Sequence, residues 1–324
     1  MTSRRHPVLG LGALVLIGGF AALQTRINGE LAKQLGTGLR AGIGAALISF
    51  LTGLVLLSVI VGVQGQQRAA LKRLWLLARG NTLPRWYLFG GLGGALVVAA
   101  QGLTAATLGV ALFTVSMVAG QTTSALGVDK YGLGPRGVQR INALRILAAA
   151  CTLFAVGLTV SGKVGAASGL SATALLLVLL PFAAGAGSSV QQAINGRVSH
   201  HTSAWVATWN NFAVGSVVLT FLLLISLCFP GEFKGLPANP LLYLGGVIGV
   251  GFIAVSAVLV HRFGVLLLSL CTIAGQVSIA AVLDVFNAEI AVGWTTFVGA
   301  GITLVGIALA MFGSSAGPKV KPAK

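Results

Sequence analysis

Acidic side chains are nearly absent: Asp and Glu together number 5 in 324 residues, against 21 Lys and Arg. Charged residues of both signs make up only 8% of the chain, where a soluble domain carries about 25%. So little charge cannot cover a water-facing surface, and lipid must solvate much of the protein. Cysteine is scarce too. Cys151, Cys228 and Cys271 each lie within an apolar run, they are odd in number, and none has metal-ligand spacing, which excludes a disulfide framework and a cysteine metal centre. The four histidines, His6, His200, His201 and His261, fall near the ends of apolar runs and also lack ligand spacing. No H-E-x-x-H and no Walker A string occurs, so metalloprotease chemistry and ATP hydrolysis within this chain are not expected. No catalytic residue, metal or cofactor is assigned.

What is present is apolar sequence, 56% of the chain, with 46 glycines. Runs lie near 8–25, 40–63, 86–103, 107–127, 140–161, 170–191, 204–229, 240–260, 264–283 and 290–312. A bilayer core takes roughly 20 apolar residues per helix, and the alternating ten-residue strands of a barrel are missing. The reading is an all-α polytopic membrane protein of ten spans. The short connector at 103–107 is the weakest boundary, and merging spans 3 and 4 would leave nine. The opening segment, MTSRRHPVLGLGALVLIGGFAALQ, has the composition of a signal peptide. Residues 170–190 play the same part in mid-chain, so it reads as a retained helix.

The net charge of +16 does not indicate nucleic acid, because the basic residues form no single face. They stand in clusters between apolar runs. With the N-terminus inside, only Arg26, Lys33, Arg40, Lys163 and Lys234 fall outside, and the rest are cytoplasmic. That bias places both termini in the cytoplasm. The largest inside loop, 64–85, is basic enough to form an amphipathic helix on the anionic leaflet, although plain orientation charge explains it as well.

The chain also repeats itself. QTRINGEL at 24–31 returns as QQAINGRV at 191–198, an offset of 167. LGVALFTVSMVAGQTTSALGVDKY at 108–131 aligns with FGVLLLSLCTIAGQVSIAAVLDVF at 263–286, an offset of 155 that also relates Gly90-Gly91 to Gly245-Gly246 and Asp129 to Asp284. Gly157 and Gly306 correspond at 149. The expected organisation is one five-span repeat in 1–163 and a second in 164–324, with a short basic tail from about 313. Five is odd, so the second copy enters the membrane inverted, as in many secondary transporters. Two polar layers follow. Gln24, Asn28, Gln276 and Asp284 fall toward the outside. Gln121, Gln191, Asn195 and Asn210 or Asn211 fall toward the inside. Spacing of i, i+4 puts Gln24 with Asn28, and Gln191 with Asn195, on one helix face. Such faces avoid lipid, and they serve equally as interhelical glue or as cavity lining. Arg26 and Glu30 have the spacing of an i, i+4 pair, and Asp129 and Asp284 also suit water-bathed interfacial acids.

These motifs, the repeated Q-x-x-I-N-G and A-G-Q segments in two inverted halves, resemble the drug/metabolite transporter superfamily, and within it the fused two-repeat YdcZ-like group of bacterial inner-membrane proteins. The resemblance covers about residues 8–312. It implies a secondary transporter, commonly an exporter, in the plasma membrane, and it places Gln24, Asn28, Gly29, Gln121, Gln191, Asn195, Gly196 and Gln276 in family-like motifs. Small multidrug-resistance relatives carry a Glu at the centre of their first helix. This chain has none there, and Glu30 lies beyond the outer end of span 1.

The candidate substrate or gate residues are therefore Gln24, Asn28, Gln121, Gln191, Asn195, Asn211 and Gln276, with Asp284 and Glu30 as candidate coupling acids. A cavity without a central charge suits a neutral or zwitterionic solute. The expected partners are that solute and the lipid bilayer, with a homodimer left open. The competing class is a non-transporting membrane protein: an assembly partner, a sensor or a lipid scramblase.

Overall fold

A computed structural model of the chain describes residues 5–161, 172–285 and 294–315. The expected repeat boundary at 163/164, Glu289, and the tail lysines Lys319, Lys321 and Lys324 lie outside them. Regular structure among the described residues is helical: α1 (Arg5–Leu35), α2 (Gly38–Val63), α3 (Gly65–Arg79), α4 (Gly91–Lys130), α5 (Ala143–Ser161), α6 (Ala172–His201), α7 (Ala204–Ser226), α8 (Gly245–Val285) and α9 (Trp294–Ser315). Four helical stretches among these residues are long and apolar enough to cross a membrane: Leu9–Leu35, Gly38–Val63, Ala204–Ser226 and Pro240–Ile279. Large apolar side chains such as Leu16, Val55, Val217 and Phe221 are more than half exposed. A surface of that kind is stable only against lipid or another protein.

Expected spans 3 and 4 fall in the single element α4, and spans 8 and 9 in α8. Neither is a straight rod. Gly93 of α4 packs on Gly187 of α6, and Ser124 of α4 donates to the Ala186 carbonyl at 3.0 Å. These two α4 residues would stand about 46 Å apart in a straight helix, yet they meet neighbouring residues of α6. Ala100 and Met117 likewise pack together beside Ala184. α4 therefore doubles back between Ala100 and Met117. In α8 the break is visible at one residue, Gly264, whose φ of 76° and ψ of 172° suit only glycine without strain.

The loop at 64–85 does form a helix, α3. It buries Gln67 and Leu74 and stacks Arg79 over the Trp75 ring at 3.5 Å, a cation–π contact. Gln67 accepts a 2.6 Å hydrogen bond from Ser203 Oγ, which in turn caps α7 by accepting from Val206 N–H, satisfying one of the free amides of a helix start.

The centre of the protein is the second limb of α8, where residues 264–275 are all buried. α1 lies along α8, α6 along α4, α2 beside α7, and α5 beside α9. Gly306 of α9 sits against Ala148 and Thr152 of α5. Close helix approach of this kind uses small residues because association in lipid rests on van der Waals packing.

Candidate functional site

The two polar phrases meet glycines of the opposite half. On α1, Gln24 Nε2 donates to the Gly245 carbonyl at 2.9 Å, and a side chain at Gly249 would come within 2.7 Å of that same nitrogen. Asn28, 4% exposed, lies against Gly245 beside Ser49. On α6, Asn195 lies against Gly90 and Gln191 against Gly93 and Gly94. The contacts of one half therefore recur in the other under the same offsets of 167 and 155. Without Cβ atoms at these glycines the amides sit directly on the helix backbone.

A fourth offset appears in the middle. Phe50 and Phe212 stand 4.9 Å apart, ring to ring. Phe50 packs on Gly215 and Phe212 on Gly53. These residues correspond at an offset of 162, in the strings SFLTG and NFAVG. Sequence reading missed this pair; its signal was the conserved order of Phe and Gly three residues apart. Asn211, one residue before Phe212, is fully buried, and its amide atoms have no hydrogen-bond partner. Its carbonyl abuts Gly91. Asn210 instead donates to the Leu88 carbonyl at 2.7 Å.

Of the expected inner layer, Gln191, Asn195 and Asn211 thus converge on the Gly90–Gly94 strip. Gln121 is buried and touches α6 through its backbone, accepting from Ser189 Oγ at 2.7 Å. Of the outer layer, Gln24 and Asn28 converge on Gly245 and Gly249. Gln276 is half-buried, and the Asp284 side chain lies outside the described residues. Glu30 is exposed and accepts from Gln34 Nε2 at 2.8 Å, so the expected Arg26–Glu30 pair is replaced by an amide contact one turn onward. One cavity is flanked by this set. Ser188, Gln191, Gln192 and Asn195 of α6 face Phe252 and Ser256 of α8 across a cavity of about 10 Å3, room for about one water. That is far below the roughly 300 Å3 of an ordinary small-molecule pocket, and no charged side chain lines it.

Asp129 is a correction. It is no water-bathed acid: it is 2% exposed and forms an ion pair with Arg145, itself 7% exposed. It also accepts from the N–H groups of Val265 at 3.1 Å and Leu266 at 3.3 Å. These are the first amides after the Gly264 break, so Asp129 caps the second limb of α8 from another helix. Arg136, in the loop after α4, stands beside Gly264 with Asp129. Its burial pulls the guanidinium below its usual pKa, Asp129 pulls it back up, and Arg145 lowers it further. Arg197 ties α6 to the same loop through the Gly132 and Leu133 carbonyls. The available signal was that one of the five acids shared an offset with another. At the other end of the helices, Arg40 donates to the Leu227 and Phe229 carbonyls, and Thr37 N–H to that of Glu232.

One G-x-S-x-G string does occur, Gly313 to Gly317. Ser315 is the last residue of α9, so it follows a helix and not the strand that leads into such a serine in hydrolases; Ala316 and Gly317 lie outside the described residues.

The family model described as "Putative inner membrane exporter, YdcZ" matches residues 9–158 and again 176–309. A solved crystal structure, 18% identical, covers 97% of this chain and 99% of its own with a TM-score of 0.64. At that identity the likeness shows the fold alone. No curated protein matches by sequence. With the family's pattern matched twice along most of its length, the chain belongs to the YdcZ family of drug/metabolite transporters, in the fused two-repeat form, as a multi-pass protein of the bacterial inner membrane.

Proposed function

We propose that the chain is a secondary transporter that exports a small neutral or zwitterionic solute by alternating access. Its ten spans form two inverted repeats with both termini in the cytoplasm. α4 and α8 each supply two spans, on either side of their reversals. The observation that carries this reading is the reciprocity of the contacts: Gln24 and Asn28 on Gly245 and Gly249, against Asn195 and Gln191 on Gly90 and Gly94. Two quasi-equivalent interfaces on opposite faces have similar energy, so closing one while the other opens costs little. A carrier needs that balance. The uncharged lining of the α6–α8 cavity supports a solute without strong net charge, since an ion desolvated there would find no counter-charge. α5 and α9, packed on each other, serve as scaffold.

A metabolite screen by thermal shift on the purified chain identifies the solute, because ligands of the folded state raise its apparent stability. Accessibility then tests the mechanism. In a chain whose Cys151, Cys228 and Cys271 are replaced by alanine, Gln24→Cys and Asn195→Cys respond to that solute in opposite senses, one gaining and one losing reactivity with a water-soluble maleimide. Parallel changes at both positions would count against rocking. Reporter fusions that place AINGR on the same side as TRING would remove the inversion itself.

A further inference from the structure

Two amide–hydroxyl pairs occupy corresponding places in the halves, and only one of them is closed. Thr25 on α1 and Gln101 on α4 correspond, under the offsets of 167 and 155, to Gln192 on α6 and Ser256 on α8. Amide and hydroxyl have exchanged helices between the two pairs. In the first pair Gln101 Nε2 donates to Thr25 Oγ1 at 3.0 Å, and Thr25 Oγ1 donates to the Ala21 carbonyl at 3.0 Å; only Gln101 Oε1 is left without a partner there. In the second, Gln192 Oε1 accepts from Ser269 Oγ at 3.2 Å. Gln192 Nε2 and Ser256 Oγ have no partner. Gln192 is 4% exposed and Ser256 2%, and both line the α6–α8 cavity.

A buried polar atom without a partner is costly, and it persists in native proteins where a ligand, a water or a function claims it. We infer that Gln192 and Ser256 form a binding subsite for one neutral polar group of the transported solute, and that Thr25–Gln101 is the same device in its closed form on the opposite face. The inference rests on the transporter reading above. The chemistry of the ligand follows from the two atoms. Gln192 Nε2 only donates, so the solute presents an acceptor to it, a carbonyl or hydroxyl oxygen. Ser256 Oγ donates or accepts, so it binds a second oxygen or an N–H. A hydroxyl- or amide-bearing neutral solute meets both demands. An inorganic anion or an alkylammonium meets at most one and brings a charge that no lining residue offsets. In the opposite state Gln192 closes on Ser256 and the Thr25–Gln101 bond opens.

Stability of the purified full chain, without solute, reads the asymmetry directly. Removing an unpaired buried polar atom relieves its cost, whereas removing half of a closed pair creates one. Ser256→Ala, which removes an unpaired hydroxyl and breaks no bond, therefore leaves the thermal midpoint unchanged or raises it, while Thr25→Val, which strands Gln101 Nε2, lowers it by about 2–4 °C. Equal losses from Ser256→Ala and Thr25→Val would overturn the subsite. The solute found by the metabolite screen separates the two readings. If it is transported with unchanged KM by Ser256→Ala, the subsite falls and the carrier stands. If the asymmetry appears but no solute moves in reconstituted vesicles, the carrier reading falls.

Discussion

Asp129→Ala destabilises the chain by about 3–5 kcal/mol, the loss seen when one partner of a buried ion pair is removed. Three costs combine. Arg145, 7% exposed, keeps its charge with no counter-charge beside it. The N–H groups of Val265 and Leu266 lose their acceptor at the point where Gly264 has broken the α8 ladder. The loop carrying Arg136 loses its electrostatic anchor. Removing both charges together, as Asp129→Asn with Arg145→Met, recovers part of the loss, because replacing a whole buried pair is far cheaper than halving it. A double-mutant cycle on thermal or denaturant unfolding measures the coupling. A loss under about 1 kcal/mol from Asp129→Ala would mean that the pair behaves as a solvated surface bridge, and its role as the clamp on the second limb of α8 would be abandoned.

The second large effect comes from the tightest helix crossings. Gly185 of α6 touches the backbone of α4 at Met117 and Gln121, and Gly120 touches that of α6 at Phe182 and Ala186. In the other half, Gly18 of α1 touches the backbone of α8 at Thr272, and Gly275 touches that of α1 at Val15 and Gly19. A side chain at any of the four meets main chain, which has no rotamer to move to. Gly185→Leu and Gly18→Leu therefore cost at least about 3 kcal/mol, the upper end of the overpacking range, and reduce the yield of monodisperse protein in detergent. Gly12, with nothing within 4 Å of its would-be side chain, is the control: Gly12→Leu changes stability by about 0.5 kcal/mol or less. Because Gly18 and Gly185 correspond at the offset of 167, their losses match. Sensitivity in one half only would show that the halves pack by different rules.

How much of this was legible follows from what each signal encodes. Helical spans were readable because 18 or more apolar residues in a row have few other uses. The polar phrases were readable because Gln and Asn are rare in such runs, and their recurrence revealed the duplication. The Phe50–Phe212 pair was not noticed, since an aromatic in an apolar run carries no contrast. Gln192 and Ser256 escaped for a related reason: their counterparts Thr25 and Gln101 exchange residue types, so an identity match passes over them. Asp129 was visible as a shared acid that suits a water-bathed interface equally well, because its burial depends on Arg145, sixteen residues further along, and on the α8 backbone. Two amino acids cannot announce that they will meet.

Composition and repetition alone determined that this chain is a duplicated, helical membrane protein and which faces of α1 and α6 are polar. These are local properties: hydropathy, i, i+4 spacing and a shared offset are written into neighbouring residues. The tertiary structure alone decided that each polar pair rests on glycines of the opposite half, that α4 and α8 reverse direction, that Asp129 caps α8, and that one amide–hydroxyl pair is closed while its counterpart stands open. Each of these depends on which helices approach closely enough for van der Waals contact and hydrogen bonding, with a hydrogen bond across 221 residues and backbone contacts, such as Gly275 on Val15, across more, and no one-dimensional pattern specifies that choice.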